Sequence, residues 1–480
     1  MRYNSWLSGL FALSLCVTSG WATSGWAVDL TPYAKPDAIL TKEGVAQRLV
    51  FWQAQLSEAY RLHGDHRRAS DAELATVLSF TAKKMMCVVS ADPAMTATAQ
   101  RLAEEGDTSD PLASFAWFEL SKDHGHEMTR AACISALLAF ERDDATHTPK
   151  RYAHLFRAFV YAHALGTMRP KRHPEQLERA NALAVLLRDA LVASILAHEF
   201  DAAPSSFLRF IRRIDIDDSA QAEDVINALT VAFASAKTDE WLAHASLSAL
   251  GITAAWTWRG SGWGSSVTPE GWAGFKRHLS AAEDHLTEAY RLNPTEPLLG
   301  VMGITLAGAG YSKVSIIDWL TRSMAACFDT GEIWDEYRSF ATPRWGGSYH
   351  DMLDLGCDAV ATKRFDTTVP HQLIYTIAEV IDDAHSMKQD ATATASLSRP
   401  HVRKAVADCI AGYSAADPST AAEYQCLEVG YLWHCGDKLK ARAALLAIDP
   451  SKRHAGSATR LAFSYDDILA ESESTEEATF

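Results

Sequence analysis

Apolar residues recur at spacings of three and four along most of the chain, as in Leu74, Val77 and Leu78 and again in Leu183, Leu187, Leu191 and Ile195. A stripe of that period lies on one face of an α-helix, whereas the alternating runs that predict strands are nearly absent. Turn signals break the stripes at Asp92-Pro93, Gly106 to Pro111, Asp123 to Gly125, Asn293-Pro294, Asp417-Pro418, Gly436-Asp437 and Asp449-Pro450. The pattern predicts an all-α chain whose helices run for about 10 to 20 residues, with short links that make neighbours antiparallel. In Ala282, Leu286, Ala289 and Pro294 the spacing matches the second helix of a tetratricopeptide unit, where small residues let paired helices approach and proline ends the second. A weaker echo runs from Glu423 through Gly436-Asp437 to Ala444, without a fixed period of about 34 residues elsewhere. The expectation is a degenerate helical-hairpin solenoid, a tetratricopeptide-like right-handed stack with no significant sheet.

The N-terminus reads differently. Arg2 supplies a positive start, Trp6 to Val17 form an apolar stretch, and small residues follow at Gly20-Trp21-Ala22 and Gly25-Trp26-Ala27. This is the composition of an export leader, with cleavage expected near Ala27 and Ala22 as the second choice. The stretch is shorter than the roughly 20 residues that span a bilayer, and the best later one, Leu298 to Ala309, is broken by glycines, so no membrane span is expected. Cys16 follows Leu15, where a lipid-anchor motif needs a small residue. The expected organisation is a signal peptide at 1–27, an N-terminal helical region at 28–206, a central tetratricopeptide-like region at 207–390, C-terminal helical hairpins at 391–469 and a disordered acidic tail at 470–480. The product is expected in the periplasm or secreted.

Losing residues 1–27 removes Arg2, the only charged residue there, and takes the net charge from -15 to -16. Basic residues are scattered in pairs such as Lys83-Lys84 and Arg212-Arg213, so a nucleic-acid partner is not expected.

The densest chemistry lies between Trp256 and Trp272, where Trp256, Trp258, Arg259, Trp263 and Trp272 share a short span with Gly260, Gly262, Gly264 and Gly271. The glycines lack the preceding strand and the following lysine of a phosphate loop. Two readings stand: tryptophans packed between helical layers around an irregular loop, or a binding surface that uses Trp and Arg because they bury large area at low entropy cost. A second block, Pro343-Arg344-Trp345-Gly346-Gly347-Ser348, leads into a helix that Ser348 can cap with Asp351 in its first turn. There Arg344 either pairs an internal acid or, with the N–H groups of the helix start, holds a carboxylate or phosphate. In a solenoid, equivalent loops emerge on one edge, so Arg259, Trp263, Arg344 and Trp345 are expected on a shared rim.

These blocks carry a resemblance. Trp256-Thr257-Trp258-Arg259-Gly260-Ser261-Gly262-Trp263, then Val267-Thr268-Pro269-Glu270-Gly271-Trp272, Leu292-Asn293-Pro294 and Pro343 to Ser348 resemble, in order and spacing, a family of exported bacterial tetratricopeptide-like helical-repeat proteins of unknown function. The likeness spans about Trp241 to Thr362; it implies fold and export and brings no catalytic residue.

Other constellations are weaker. His63-Gly64-Asp65-His66 and His124-Gly125-His126 lie at helix ends without a second cluster at metal-ligand spacing, and no metal or cofactor is expected. His350 beside Asp351 points away from it on a helix, and no Gly-x-Ser-x-Gly elbow exists. After leader removal seven cysteines remain: Cys87, Cys133, Cys327, Cys357, Cys409, Cys426 and Cys435. Cys409 and Cys426 stand equally far from the Asp417-Pro418 turn, which makes them a candidate disulfide. The function expected is a non-catalytic scaffold for a protein or peptide partner; the alternative is a hydrolase-like enzyme with a cleft between the two Trp-Arg-Gly blocks acting on an anionic substrate. No catalytic residue is nominated.

The tail contains four glutamates spaced by Ser and Thr with little to bury. Deleting residues 471–480 is expected to leave the melting temperature unchanged; a fall of several degrees would show that the tail docks.

Overall fold

The computed structural model describes residues 28–35, 49–64, 70–85, 92–104, 110–122, 124–147, 150–168, 174–260, 262 and 264–470. The leader, the tail from 471, Trp263 and Cys87 lie outside the described residues. Among those described, regular structure is entirely helical and no strand occurs. No described helix is long and apolar enough to cross a membrane. The described residues divide into two compact units, the first taking those within 40–262 and 266–294, the second those within 10–39, 264–265 and 295–480. The division falls at Pro294, where the central expected region continues.

Unit 1 is a succession of helices: α1 (Asp71–Met85), α2 (Pro93–Ala103), α3 (Pro111–Ser121), α4 (His126–Thr146), α5 (His154–Thr167), α6 (Leu177–Leu196), α7 (Pro204–Ile211), α8 (Ser219–Ala236), α9 (Glu240–Arg259) and α10 (Pro269–Leu292). The starts are chemically marked. Asp92, Asp218 and Thr268 each accept first-turn N–H groups, and Pro93, Pro111, Pro204 and Pro269 fill positions whose N–H would have no helical partner. The stripe Leu183, Leu187, Leu191 and Ile195 is fully buried along α6. Helix α3 is buried on every side, and its neighbours α1, α2 and α4 cover it.

One buried ionic cluster joins the loops of unit 1. Arg157, 1% exposed, reaches Asp144 at 2.5 Å, Asp143 at 3.3 Å and the Tyr152 carbonyl at 2.7 Å. Arg151 pairs with Asp143 at 2.6 Å, and the Tyr152 hydroxyl donates to Asp110 at 2.6 Å. Every buried charge here has an opposite charge and further hydrogen bonds, the condition under which such groups are tolerated.

The pair α9 and α10 is the longest hairpin of the unit. Ala282, Leu286 and Ala289 are completely buried, as the tetratricopeptide-like spacing predicts for small and apolar contact positions. The Ser248 hydroxyl donates to the Ala282 carbonyl at 2.8 Å across the helices. At Gly274 the Trp258 ring lies on bare backbone: a Cβ there would sit 2.4 Å from the indole.

Unit 2 holds α11 (Leu298–Gly308), α12 (Ile316–Ala326), α13 (Gly331–Ala341), α14 (Tyr349–Ala361), α15 (Gln372–Ser386), α16 (Asp390–Leu397), α17 (Pro400–Ala416), α18 (Ala421–His434), α19 (Lys438–Ala447) and α20 (Ala455–Arg460). Helices α17 and α18 pack as neighbours about Asp417-Pro418, as expected. Cys409 and Cys426, however, are both free thiols. Cys409 faces the Pro370 carbonyl at 3.5 Å, and Cys426 accepts the His454 N–H at 3.4 Å. Equal distance from a turn fixes height along a helix pair but not rotation about each axis, and here each thiol is turned towards a different neighbour. Burial pushes the Cys409 thiol up to about 12. Residues 28–35 belong to this unit, with Leu30 1% exposed.

Gly274→Ala is expected to destabilise by about 1–3 kcal/mol through overpacking against the indole. In a Trp258→Ala background the same change should cost far less, a coupling that urea denaturation of the four proteins of the cycle measures. Equal costs in both backgrounds would show that the ring is not what requires glycine.

Candidate functional site: a buried arginine between two tryptophans

The last turn of α9 and the first turns of α10 converge on Arg259. Helix α9 ends because Gly260 takes φ +73°, a conformation side chains disfavour, while its N–H still closes on the Trp256 carbonyl at 2.8 Å. Helix α10 starts when Thr268 Oγ1 accepts the Gly271 N–H at 3.0 Å. Trp256, Arg259 and Trp272 thus lie together at the linked end of the hairpin.

Arg259 is 4% exposed. Its guanidinium carbon lies 5.5 Å from the Trp256 ring centre and 5.8 Å from that of Trp272, cation–π distances on both sides. Phe275 closes the floor, edge-on to both rings at 5.0 and 5.7 Å. Nη1 donates to the carbonyls of Gly260 at 3.0 Å and Gly262 at 3.1 Å. Nε and Nη2 are buried and have no hydrogen-bond partner. Burial accounts for the downward displacement of its pKa, with no carboxylate among the described residues opposing it.

The other tryptophan of the block faces elsewhere. The Trp258 indole N–H donates to Glu223 Oε1 at 3.1 Å, and the same oxygen accepts from Arg277 at 2.6 Å and His278 at 3.1 Å. Burial pushes the Glu223 carboxyl up, but His278, Trp258 and Arg277 outweigh it and hold it below its ordinary range. Trp258 therefore ties α8 to α9 and α10, in keeping with the packing reading. Trp263 lies outside the described residues.

In unit 2 the second block forms as expected at its helix start: Asp351 N–H donates to Ser348 Oγ at 3.1 Å, and the Ser348 hydroxyl donates to Asp351 Oδ2 at 2.6 Å. Arg344 forms an ion pair with Asp383, a fully buried acid on α15 to which the Tyr349 hydroxyl also donates at 2.7 Å. Trp345 packs its ring 5.1 Å from that of Phe340. Arg344, Trp345 and Ser348 are thus adjacent, and each is engaged by its own unit.

A third constellation was not read from the sequence. His371, at the start of α15, is 9% exposed, with Nδ1 2.8 Å from the Tyr424 hydroxyl and Nε2 3.2 Å from Arg460 Nη1. Arginine only donates, so Nε2 accepts and the ring proton sits on Nδ1. Burial, with Arg460 and Arg338 adding, pushes this imidazole down to about 3, and it stays neutral at physiological pH. Arg338 and Arg460 both lie over the half-exposed Tyr375 ring, at 5.4 and 5.3 Å. Arg338 is satisfied by Gln372 at 2.7 Å and by Asp335. This network is fully engaged. His124, of the His124-Gly125-His126 run, has Nε2 3.0 Å from the Thr96 hydroxyl. Among the described residues no group of three His, Cys, Asp or Glu is placed to hold a metal.

The two buried arginines of unit 1 should respond oppositely to the same change. Arg157→Met removes the buried guanidinium that pairs with both Asp144 and Asp143 and is expected to cost about 3–5 kcal/mol in urea denaturation. Arg259→Met removes a charge that no acid balances and is expected to be neutral or stabilising. A loss at position 259 as large as that at 157 would make Arg259 a structural cation. Compared with models of protein families, with curated proteins and with solved structures, the chain matches none of them.

Proposed function

We propose that this protein is an exported, non-catalytic helical-hairpin scaffold, tetratricopeptide-like in the stacking of its hairpins, that binds a protein or peptide partner by a carboxylate seated on Arg259. The observation that carries the reading is the unpartnered edge of the guanidinium. Nε and Nη2 are the two donors that lie side by side in the plane of the group, the pair that a carboxylate accepts in bidentate fashion. The opposite donor, Nη1, is spent on two loop carbonyls that fix the plane. The Trp256 and Trp272 rings lie 5.5 and 5.8 Å from the guanidinium carbon, as aromatic anchors lie at the centre of an interface.

Export is supported by the leader-like composition of 1–27, and the resemblance to exported tetratricopeptide-like proteins is consistent with it. A peptide carboxylate is preferred over a nucleic-acid phosphate because the chain carries a net charge of -15 and offers no basic surface to a polyanion. The non-catalytic reading is supported by the contacts of Arg259 among the described residues, which are aromatic rings and two backbone carbonyls and include no nucleophile or general base.

A peptide array in free-acid and C-amidated forms, probed with wild type and with Arg259→Met, tests the assignment. Binding is expected only for peptides with an accessible carboxylate, and a loss of tenfold or more is expected in the variant, as for about 1.4 kcal/mol or more of charge-assisted hydrogen bonding. Equal binding by both proteins would reject the seat at Arg259, and cleavage of the peptides would reject the non-catalytic reading in favour of a hydrolase.

A further inference from the structure

In unit 2 the carboxylate of Asp358 has no cation of its own among the described residues. Asp358 Oδ2, half-buried on α14, accepts the backbone N–H of Val28 at 3.2 Å. The charges that face it are the acids Asp354 and Asp29. Asp354 is already held by Arg399 and His401, each at 2.8 Å. Burial, with those two acids adding, pushes the Asp358 carboxyl above its ordinary range in spite of the Val28 hydrogen bond.

Val28 is held at this carboxylate by the residues that follow it. Leu30 is 1% exposed, Asp29 accepts the Thr31 N–H at 3.0 Å, and the turn Thr31–Tyr33 packs against α12. Arg364 donates to the Ala34 carbonyl and anchors the far end. A backbone amide at Val28 offers Asp358 one neutral donor, whereas an α-ammonium on the same atom offers a positive charge and three. In the sequence the residue before Val28 is Ala27, the last small residue of the expected leader.

We propose that hydrolysis of the Ala27–Val28 bond turns the Val28 nitrogen into the cation that Asp358 lacks, so that leader removal and completion of unit 2 are one event. The inference rests on the export reading given above. In the step, water adds across the peptide bond under a leader peptidase of the exporting cell. The C–N bond breaks, the water oxygen remains on Ala27 as part of a carboxylate, and the nitrogen leaves as the Val28 ammonium. The ammonium then replaces a dipole with a full charge at a half-buried acid, where an ion pair is screened less than on an open surface.

Two measurements separate the pairing from export. The chain 28–480 is prepared with a free Val28 amine and with Val28 Nα-acetylated, which keeps an N–H donor and removes the charge, each with Asp358 and with Asp358→Asn. With Asp358 the free amine is expected to melt about 2 °C higher than the acetylated form, and the gap should vanish in Asp358→Asn. No gap with Asp358, or the same gap in both backgrounds, overturns the pairing whether or not the protein is exported. Separately, the full chain is produced in an exporting bacterial cell and the mass of its N-terminal peptide is read. A start at Val28 is expected; a start elsewhere, or retention of 1–27, overturns the export step on which the proposal depends, while the melting comparison still reports on the pair.

Discussion

Close contact between α9 and α10 is the constraint on which the candidate site depends. Two helices of 20 and 24 residues run side by side with their backbones drawn together where Gly274 lies under the Trp258 ring and Gly251 meets Ala282. Once that pairing is set, the position of the helical residues at the linked end follows from helical phase. Trp256 and Arg259 are three apart and so share a face at the end of α9, while Trp272 and Phe275 are three apart on α10 and share the facing one. The rings and the guanidinium therefore meet on two rigid elements, and Arg259 Nη1 donates to the carbonyls of Gly260 and Gly262. A binding constellation carried by helices holds its geometry better than one carried by a loop.

The treatment of buried guanidinium groups separates Arg259 from its counterparts. Arg157 is surrounded by Asp143, Asp144 and backbone carbonyls, and Arg338 by Asp335 and Gln372. Arg344 ends on the buried Asp383. In each of these the charge is matched by an acid and the donors by acceptors. Arg259 has two carbonyls, two aromatic faces and the negative end of its own helix, which together soften the loss of water without cancelling the charge. A leucine at the same point would pack between the two indoles with no desolvation penalty. The arginine is the more expensive residue for stability alone, and its two unsatisfied donors are what an incoming carboxylate would complete.

How much of this was legible in the sequence depends on how local each interaction is. The helices, their proline and aspartate starts, and the Ser348–Asp351 cap are encoded within a few residues, and spacing reveals them. The meeting of Trp256, Arg259 and Trp272 was visible as a dense block, because all three lie at the ends of two consecutive helices. That Trp258 would leave this group for Glu223 was not, since residues two apart on a helix point to different sides and the acid lies on α8. The partner of Arg344 was foreseen only as some internal acid; its identity, Asp383, is set by how α15 crosses α14. The cluster around His371 draws Tyr424 and Arg460 from distant helices, and nothing near His371 in the sequence announces them. Cys409 and Cys426 show the converse case, a relation of height along two helices without a relation of facing.

The physical size of the Arg259 seat also limits what can use it. A bidentate pair with one carboxylate contributes about 1.5–3 kcal/mol, far less than the roughly 8 kcal/mol of a micromolar complex. The missing part has to come from apolar area, and the half-buried Trp256 and Trp272 rings are where it is available. Each could bury further surface against a bound ligand, and aromatic anchors of this kind dominate the energy of many interfaces. A small free anion would gain the charge pair without the rings. An acidic side chain or chain end set in a peptide gains both, because the residues beside the carboxylate lie against the indoles. On the proposed reading, a buried arginine beside two tryptophans would favour a carboxylate with apolar neighbours, as in a peptide, over an isolated acid.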